Sequence, residues 1–185
     1  MKYNPIKLKY IITVSTLLSA VFLFFNWFTL SIPVLESFLE SGSFSVSFFT
    51  LPQLIEENAL GLITRLGGKG TSVMTLLLCA ILKYMCVLSA GFGIFGICKM
   101  WKYDKSTRFI FSSQVIALAL QVLSFLVIVI INIFMAMYAD SIAQSLNLEE
   151  DLLQFHFIPT VWLCLSTLSA IASLVTWHLH SKESE

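Results

Sequence analysis

Charge is scarce in this 185-residue chain, with Asp, Glu, Lys and Arg at 12% against 57% hydrophobic residues and a mean hydropathy of +0.86. That balance excludes a soluble domain of ordinary composition. Acids and bases number 11 each, so there is no basic excess of the kind nucleic-acid binding needs, and no nucleic-acid partner is expected. Acidic residues are missing altogether from the long apolar runs, which excludes a proton relay built from membrane carboxylates. Cysteine is limited to Cys79, Cys86, Cys98 and Cys164. None lies in the segments that join the runs at their acidic side, and no C-x-x-C occurs, so neither an outer disulfide nor a dithiol oxidoreductase is encoded. Cys79 and Cys86 are seven residues apart on one run, about 10 Å along a helix, too far to bridge each other. No nucleophile, base and metal constellation can be assembled. An enzyme is not expected, nor a cofactor.

What is present is apolar sequence in four blocks, at about residues 10–30, 73–97, 109–138 and 157–178. Each reaches the ~20 helical residues that cross a hydrocarbon core. The first is preceded by Lys2, Lys7 and Lys9 but is longer than a signal-peptide core, and it reads as an anchor. The expected class is all-α integral membrane: a four-transmembrane-helix bundle in a single domain. Its connectors are an outer segment at about 31–72, an inner loop at about 98–108 and an outer loop at about 139–156. The inner loop carries Lys99, Lys102, Lys105 and Arg108 against Asp104, while the other two connectors are net acidic. The positive-inside rule then predicts both termini in the cytoplasm and a multi-pass protein of the cell membrane, with membrane lipid as a partner.

Gly91 to Gly96, GFGIFG, has the G-x-G-x-x-G spacing of a dinucleotide-binding turn. That turn needs a strand before it and an acidic residue about 20 positions later. Here the glycines lie inside the second apolar run, so the spacing predicts close helix packing along Ser89, Ala90, Gly93, Gly96 and Ile97.

The outer segment alternates apolar and polar residues twice. Phe28, Leu30 and Ile32 alternate with Thr29 and Ser31, and Phe44, Val46 and Phe48 with Ser43, Ser45 and Ser47. Period two predicts two short strands with one buried face. An amphipathic helix should follow, opening at Thr50 with Pro52 in its first turn and stopping at Gly67-Gly68. Leu54, Ile55, Leu62 and Leu66 share its apolar face. Together with Phe44, Val46 and Phe48 they form a candidate partner-binding face, the alternative being packing on the bundle or the headgroups. Val73, Met74, Leu76, Ile131, Ile133 and Phe134 are expected to pack under the strands. The fourth helix is expected to begin outside the membrane at an Asn147/Glu150 capping box, with Pro159 placed to kink it.

A tetraspan with both termini inside, an outer sheet and helix after the first span and a short second outer loop resembles the claudin-type arrangement. Trp27 ends the first helix here, without the family's G-L-W segment or its pair of outer cysteines. The resemblance implies a small extracellular β-sheet carried on a four-helix bundle.

Lys83 is the only charged residue inside a predicted span. It either snorkels toward the nearer surface or serves an ion or substrate. Gln114, Gln121 and Asn132, spaced by seven and eleven, lie within about 20° of one another on the third helix. They read as bundle glue or as the lining of a polar cavity, and with Lys83 they make a candidate intramembrane polar site. The expected function is a non-enzymatic accessory, scaffold or partner-binding subunit, acting through its first outer segment on a protein partner or as a homo-oligomer. The alternative is a small transporter or channel using Lys83 and the Gln/Asn stripe.

Overall fold

The computed structural model describes residues 4–31, 43–47, 50, 53, 60–103, 108–146 and 156–183. In chain order the elements are helix α1 (Pro5–Phe22), strands β1 (Phe28–Ser31) and β2 (Ser43–Val46), helices α2 (Leu60–Tyr103) and α3 (Arg108–Leu146), strand β3 (His156–Pro159) and helix α4 (Val161–Glu183). Four of these helices are long and apolar enough to cross a membrane, and the chain is a multi-pass membrane protein.

Helix α1 opens where the Asn4 side chain accepts the Ile6 amide at 3.1 Å, with Pro5 in the first turn, where its missing N–H costs nothing. It ends at Phe22, short of the apolar run. Backbone groups in apolar surroundings need partners, and from Trp27 onward a sheet supplies them. The Trp27 amide donates to the Val46 carbonyl at 2.9 Å. Helix α2 departs from expectation in the other direction, because it runs unbroken through Gly67, Gly68 and Gly70 for 44 residues, about 66 Å. A helical glycine costs about 1 kcal/mol relative to Ala, and these are carried by continuity with the membrane span instead of ending the helix. The expected start of that helix around Thr50 falls largely outside the described residues. Thr50 itself is tied to Ser47, whose amide donates to the Thr50 Oγ1 at 2.9 Å.

The sheet has three strands in the order β2-β1-β3, both pairings antiparallel. β3 comes from the stretch expected to lie in the fourth helix. That expectation is corrected: Pro159 closes a strand opposite Phe28 and kinks no helix. A proline fits there because an edge strand's end needs no further ladder donor. Asn147 and Glu150 lie outside the described residues. Helix α4 starts instead behind Thr160, whose side chain and carbonyl both receive the Leu163 amide. Phe28, Val46 and Pro159 stand in register on one face, and Thr29, Ser45 and Ile158 on the other. Val46 is 2% exposed and Ile158 57%, so the first face is turned toward the bundle.

Around the bundle α1 packs against α4 and α2, and α3 against α2 and α4. The larger core lies beneath the sheet, where Leu23 and Trp27 meet Cys86, Ala117, Leu120, Ile128 and Leu163. A smaller one, Ile12, Met100 and Ile110, closes the opposite end.

Candidate functional site

Several polar residues inside the bundle form interhelical bonds. Ser89 of α2 and Ser113 of α3 exchange bonds reciprocally, each hydroxyl donating to the other's carbonyl at 2.8 and 2.7 Å. Thr16 of α1 and Ser173 of α4 share a hydrogen bond of 2.7 Å. The Gln121 amide donates to Ser166 Oγ at 2.6 Å, and Ser166 in turn donates to the Ser19 carbonyl at 3.4 Å, joining three helices. Gly93 sits where three helices meet: a Cβ there would lie 3.0 Å from Ser113 Oγ and 3.1 Å from Thr16 Cγ2. Ser89, Ala90, Gly93 and Gly96 are all buried, as a packing seam requires. Gly91 faces open space.

Of the expected polar site, Gln114 and Gln121 are buried at 1% and 0% exposure, whereas Lys83 is exposed on α2 and Asn132 is half-buried. Asn132 lies about 16 Å along α3 from Gln121. Sequence spacing identified the Gln pair and, in the three-and-four recurrence of Ser166, Ser169, Ser173 and Thr176, a polar seam on the fourth helix; it gave no sign of which of these residues meet across helices, as Gln121 with Ser166 and Thr16 with Ser173 do. Among the buried polar atoms of the described residues, Ser19 Oγ, Gln114 Oε1, Gln121 Oε1 and Ser124 Oγ have no hydrogen-bond partner. Among the described residues no group of three or more His, Cys, Asp or Glu could hold a metal.

Two aromatic girdles mark the depth of the bundle. At one end Tyr10 packs edge-on to Trp101 at 5.1 Å and Phe111 lies against Trp177 at 5.0 Å. At the sheet end Trp162 stacks on Phe25 at 4.8 Å and touches Phe22 at 5.6 Å. Tyr10 to Phe25 and Trp162 to Trp177 are both fifteen residues, about 22 Å at helical rise. Such girdles mark the membrane interfaces. Lys83 is eighteen residues from Trp101, about 27 Å, which places it within one helical turn beyond the sheet-end girdle and within snorkelling reach of water.

Helices α2 and α3 continue past that level with apolar side chains. Val73, Met74, Leu77 and Leu78 are 54–68% exposed, and Ile133 and Met137 are 55% and 69% exposed. Counted from Trp101 and Phe111 they stand about 33–42 Å along their helices, beyond a ~30 Å hydrocarbon core. Val73, Met74 and Ile133 therefore do not pack under the strands as expected. β3 packs against α3, and these side chains still stand exposed. Leu76 is half-buried.

The sheet is fastened to the bundle at one joint. The Trp27 indole, 1% exposed, donates to the Leu23 carbonyl at 3.0 Å, and the Thr160 amide donates to the Trp27 carbonyl at 3.0 Å. Thr160 also donates its hydroxyl to the Asn26 carbonyl. Only Thr160 separates β3 from α4, so the joint ties the sheet to the ends of both α1 and α4. Val46 of the expected partner face is internal to this joint. Phe48, Leu54 and Ile55 lie outside the described residues. Phe44 is placed by register only, opposite Leu30, and Leu62 and Leu66 lie on α2. The chain matches no family model, no curated protein and no solved structure.

Proposed function

We propose that this is a non-enzymatic membrane subunit that binds another membrane protein at its sheet end. One observation carries the reading. Apolar side chains of α2 and α3 stand 54–69% exposed at a depth where a ~30 Å core no longer covers them. Exposed apolar surface loses about 25 cal/mol per Å² relative to a covered one, and six such side chains grouped beside a sheet mark an interaction site. In this reading the sheet end is extracellular, both termini are cytoplasmic, and the element order is claudin-like. Met74→Glu combined with Met137→Glu should abolish the crosslinked, higher-mass species formed in native membranes, with insertion and monodispersity retained because both residues are exposed. Crosslinking only to a second copy would identify a homo-oligomer. An unchanged crosslinking pattern would refute the proposal.

The unpartnered Ser19, Gln114, Gln121 and Ser124 oxygens favour a second reading, a conductor of a small polar solute. Reconstituted liposomes test it: flux should be measurable and should fall with Gln121→Leu, and the absence of flux rejects it.

A further inference from the structure

A groove of about 490 Å³ runs along the outer side of the α1–α4 pair. Ile11, Val14 and Leu18 form one wall and Leu168 and Ala172 the other, while the small Ser15 and Ser169 leave the space between them. Behind the groove the Thr16–Ser173 bond draws the two helices together. The Ser15 hydroxyl is turned back onto its own helix, donating to the Ile11 carbonyl at 2.7 Å, so that wall offers the groove no free donor. Tyr10, Val14 and Leu168 are 54–64% exposed, which leaves the groove open to the lipid side.

The mouth of the groove is at the girdle opposite the sheet. Lys7, Ile11, Val14 and Leu18 follow one another at spacings of four, three and four, so Lys7 continues the lining stripe of α1. It lies three residues beyond Tyr10, about 4.5 Å further out, where a phosphate would sit above the interface. Other lysines at this end are held against rings: Lys9 over Trp101 at 5.8 Å, Lys99 over Phe109 at 5.2 Å, Lys102 over Tyr103 at 5.3 Å. Lys7 is exposed and has no ring contact or ion pair among the described residues. Lys182, also exposed, lies in the last turn of α4. Residues 1–9, 99–108 and 182–185 together carry eight Lys and Arg against three acids, so Glu183 and Glu185 reduce but do not reverse the positive sum.

We propose that the α1–α4 groove holds an acyl chain of an anionic phospholipid whose phosphate is received by Lys7. The length of apolar wall suits a chain, the depth of Lys7 suits a headgroup, and the local charge selects an anion. Electron paramagnetic resonance of chain-labelled lipids, with the full protein in phosphatidylcholine vesicles at low salt, tests this. Labelled phosphatidylglycerol should enter the motionally restricted population about fivefold more readily than labelled phosphatidylcholine, the ratio one lysine supplies at a surface. Lys7→Gln should bring that ratio close to one while the number of restricted chains stays the same. Ala172→Phe, which fills the groove from an exposed position, should remove restricted chains. Lys102→Gln should leave the ratio intact. Equal behaviour of the two lipids in the wild type, or equal losses from Lys7→Gln and Lys102→Gln, would overturn the proposal. So would the absence of restricted chains with Leu168→Cys crosslinking to a second copy, which would assign the groove to a neighbouring helix.

Discussion

Placing one methyl group at Gly93 tests how the four helices are held together. The new Cβ would stand 3.0 Å from Ser113 Oγ and 3.1 Å from Thr16 Cγ2, where ordinary contacts begin near 3.4 Å. Ser113 cannot swing aside freely, because its hydroxyl donates to the Ser89 carbonyl at 2.7 Å. Overpacking costs about 1–3 kcal/mol, and disturbing an interhelical hydrogen bond adds roughly 0.6 kcal/mol. Against this, replacing a helical glycine by alanine returns up to about 1 kcal/mol. Gly93→Ala should therefore destabilise by about 1–2 kcal/mol. Gly91→Ala, two residues away with nothing within 4 Å, should be neutral or slightly stabilising. Unfolding in mixed micelles titrated with denaturing detergent reads the difference as a shift in midpoint. Adding Ser113→Ala removes the 3.0 Å contact and leaves Thr16 Cγ2 at 3.1 Å and Ser113 Cβ at 3.8 Å, so the double variant should recover part of the loss, a non-additivity expected of touching residues. Equal midpoints for Gly91→Ala and Gly93→Ala, or strict additivity with Ser113→Ala, would refute the close-packed crossing.

Trp27→Ala should cost about 3–5 kcal/mol by emptying the largest buried site and breaking the joint between sheet and bundle; Trp27→Phe should cost less, and detergent unfolding midpoints report both. A double-mutant cycle on Thr16→Val and Ser173→Ala should give a coupling of about 0.6 kcal/mol, the usual worth of a hydrogen bond between membrane helices. Lys83→Met should insert and remain monodisperse, since the residue is exposed within one helical turn of the sheet-end girdle, and size-exclusion chromatography with a melting curve checks it. Cysteines placed singly at Ser45 and Lys102, in a background freed of native thiols, should react with an impermeant reagent from opposite sides of a sealed membrane; reaction from the same side would overturn the girdle assignment.

Several features were legible in the residues alone because a short-range rule decides each. A run of some twenty apolar residues saturates its own backbone only as a helix, which made the four spans readable. Strict alternation in Phe28–Ser31 and Ser43–Val46 has period two and admits only a strand, and the paired register bears this out. The glycines of GFGIFG lay too deep in an apolar run to reach a phosphate, and Gly93 packs between helices as that placement required.

Other features needed the folded molecule. His-Phe-Ile-Pro at 156–159 is apolar, short and adjacent to a span, so local pattern extends the helix through it; only the free edge of β1, presented by the turn at the end of α1, makes it a strand. Gly67-Gly68 reads locally as a stop, yet the helix continues, because a stop also needs a chain that turns away there. Which polar side chains face one another was equally hidden, since Gln121 and Ser166 are 45 residues apart and meet only when α3 and α4 are set side by side. Residue identity and spacing thus determined what each segment is made to do in an apolar medium. Only tertiary packing decided the third strand, the internal placement of Val46 and the surfaces left uncovered, because each depends on a partner that is distant in sequence.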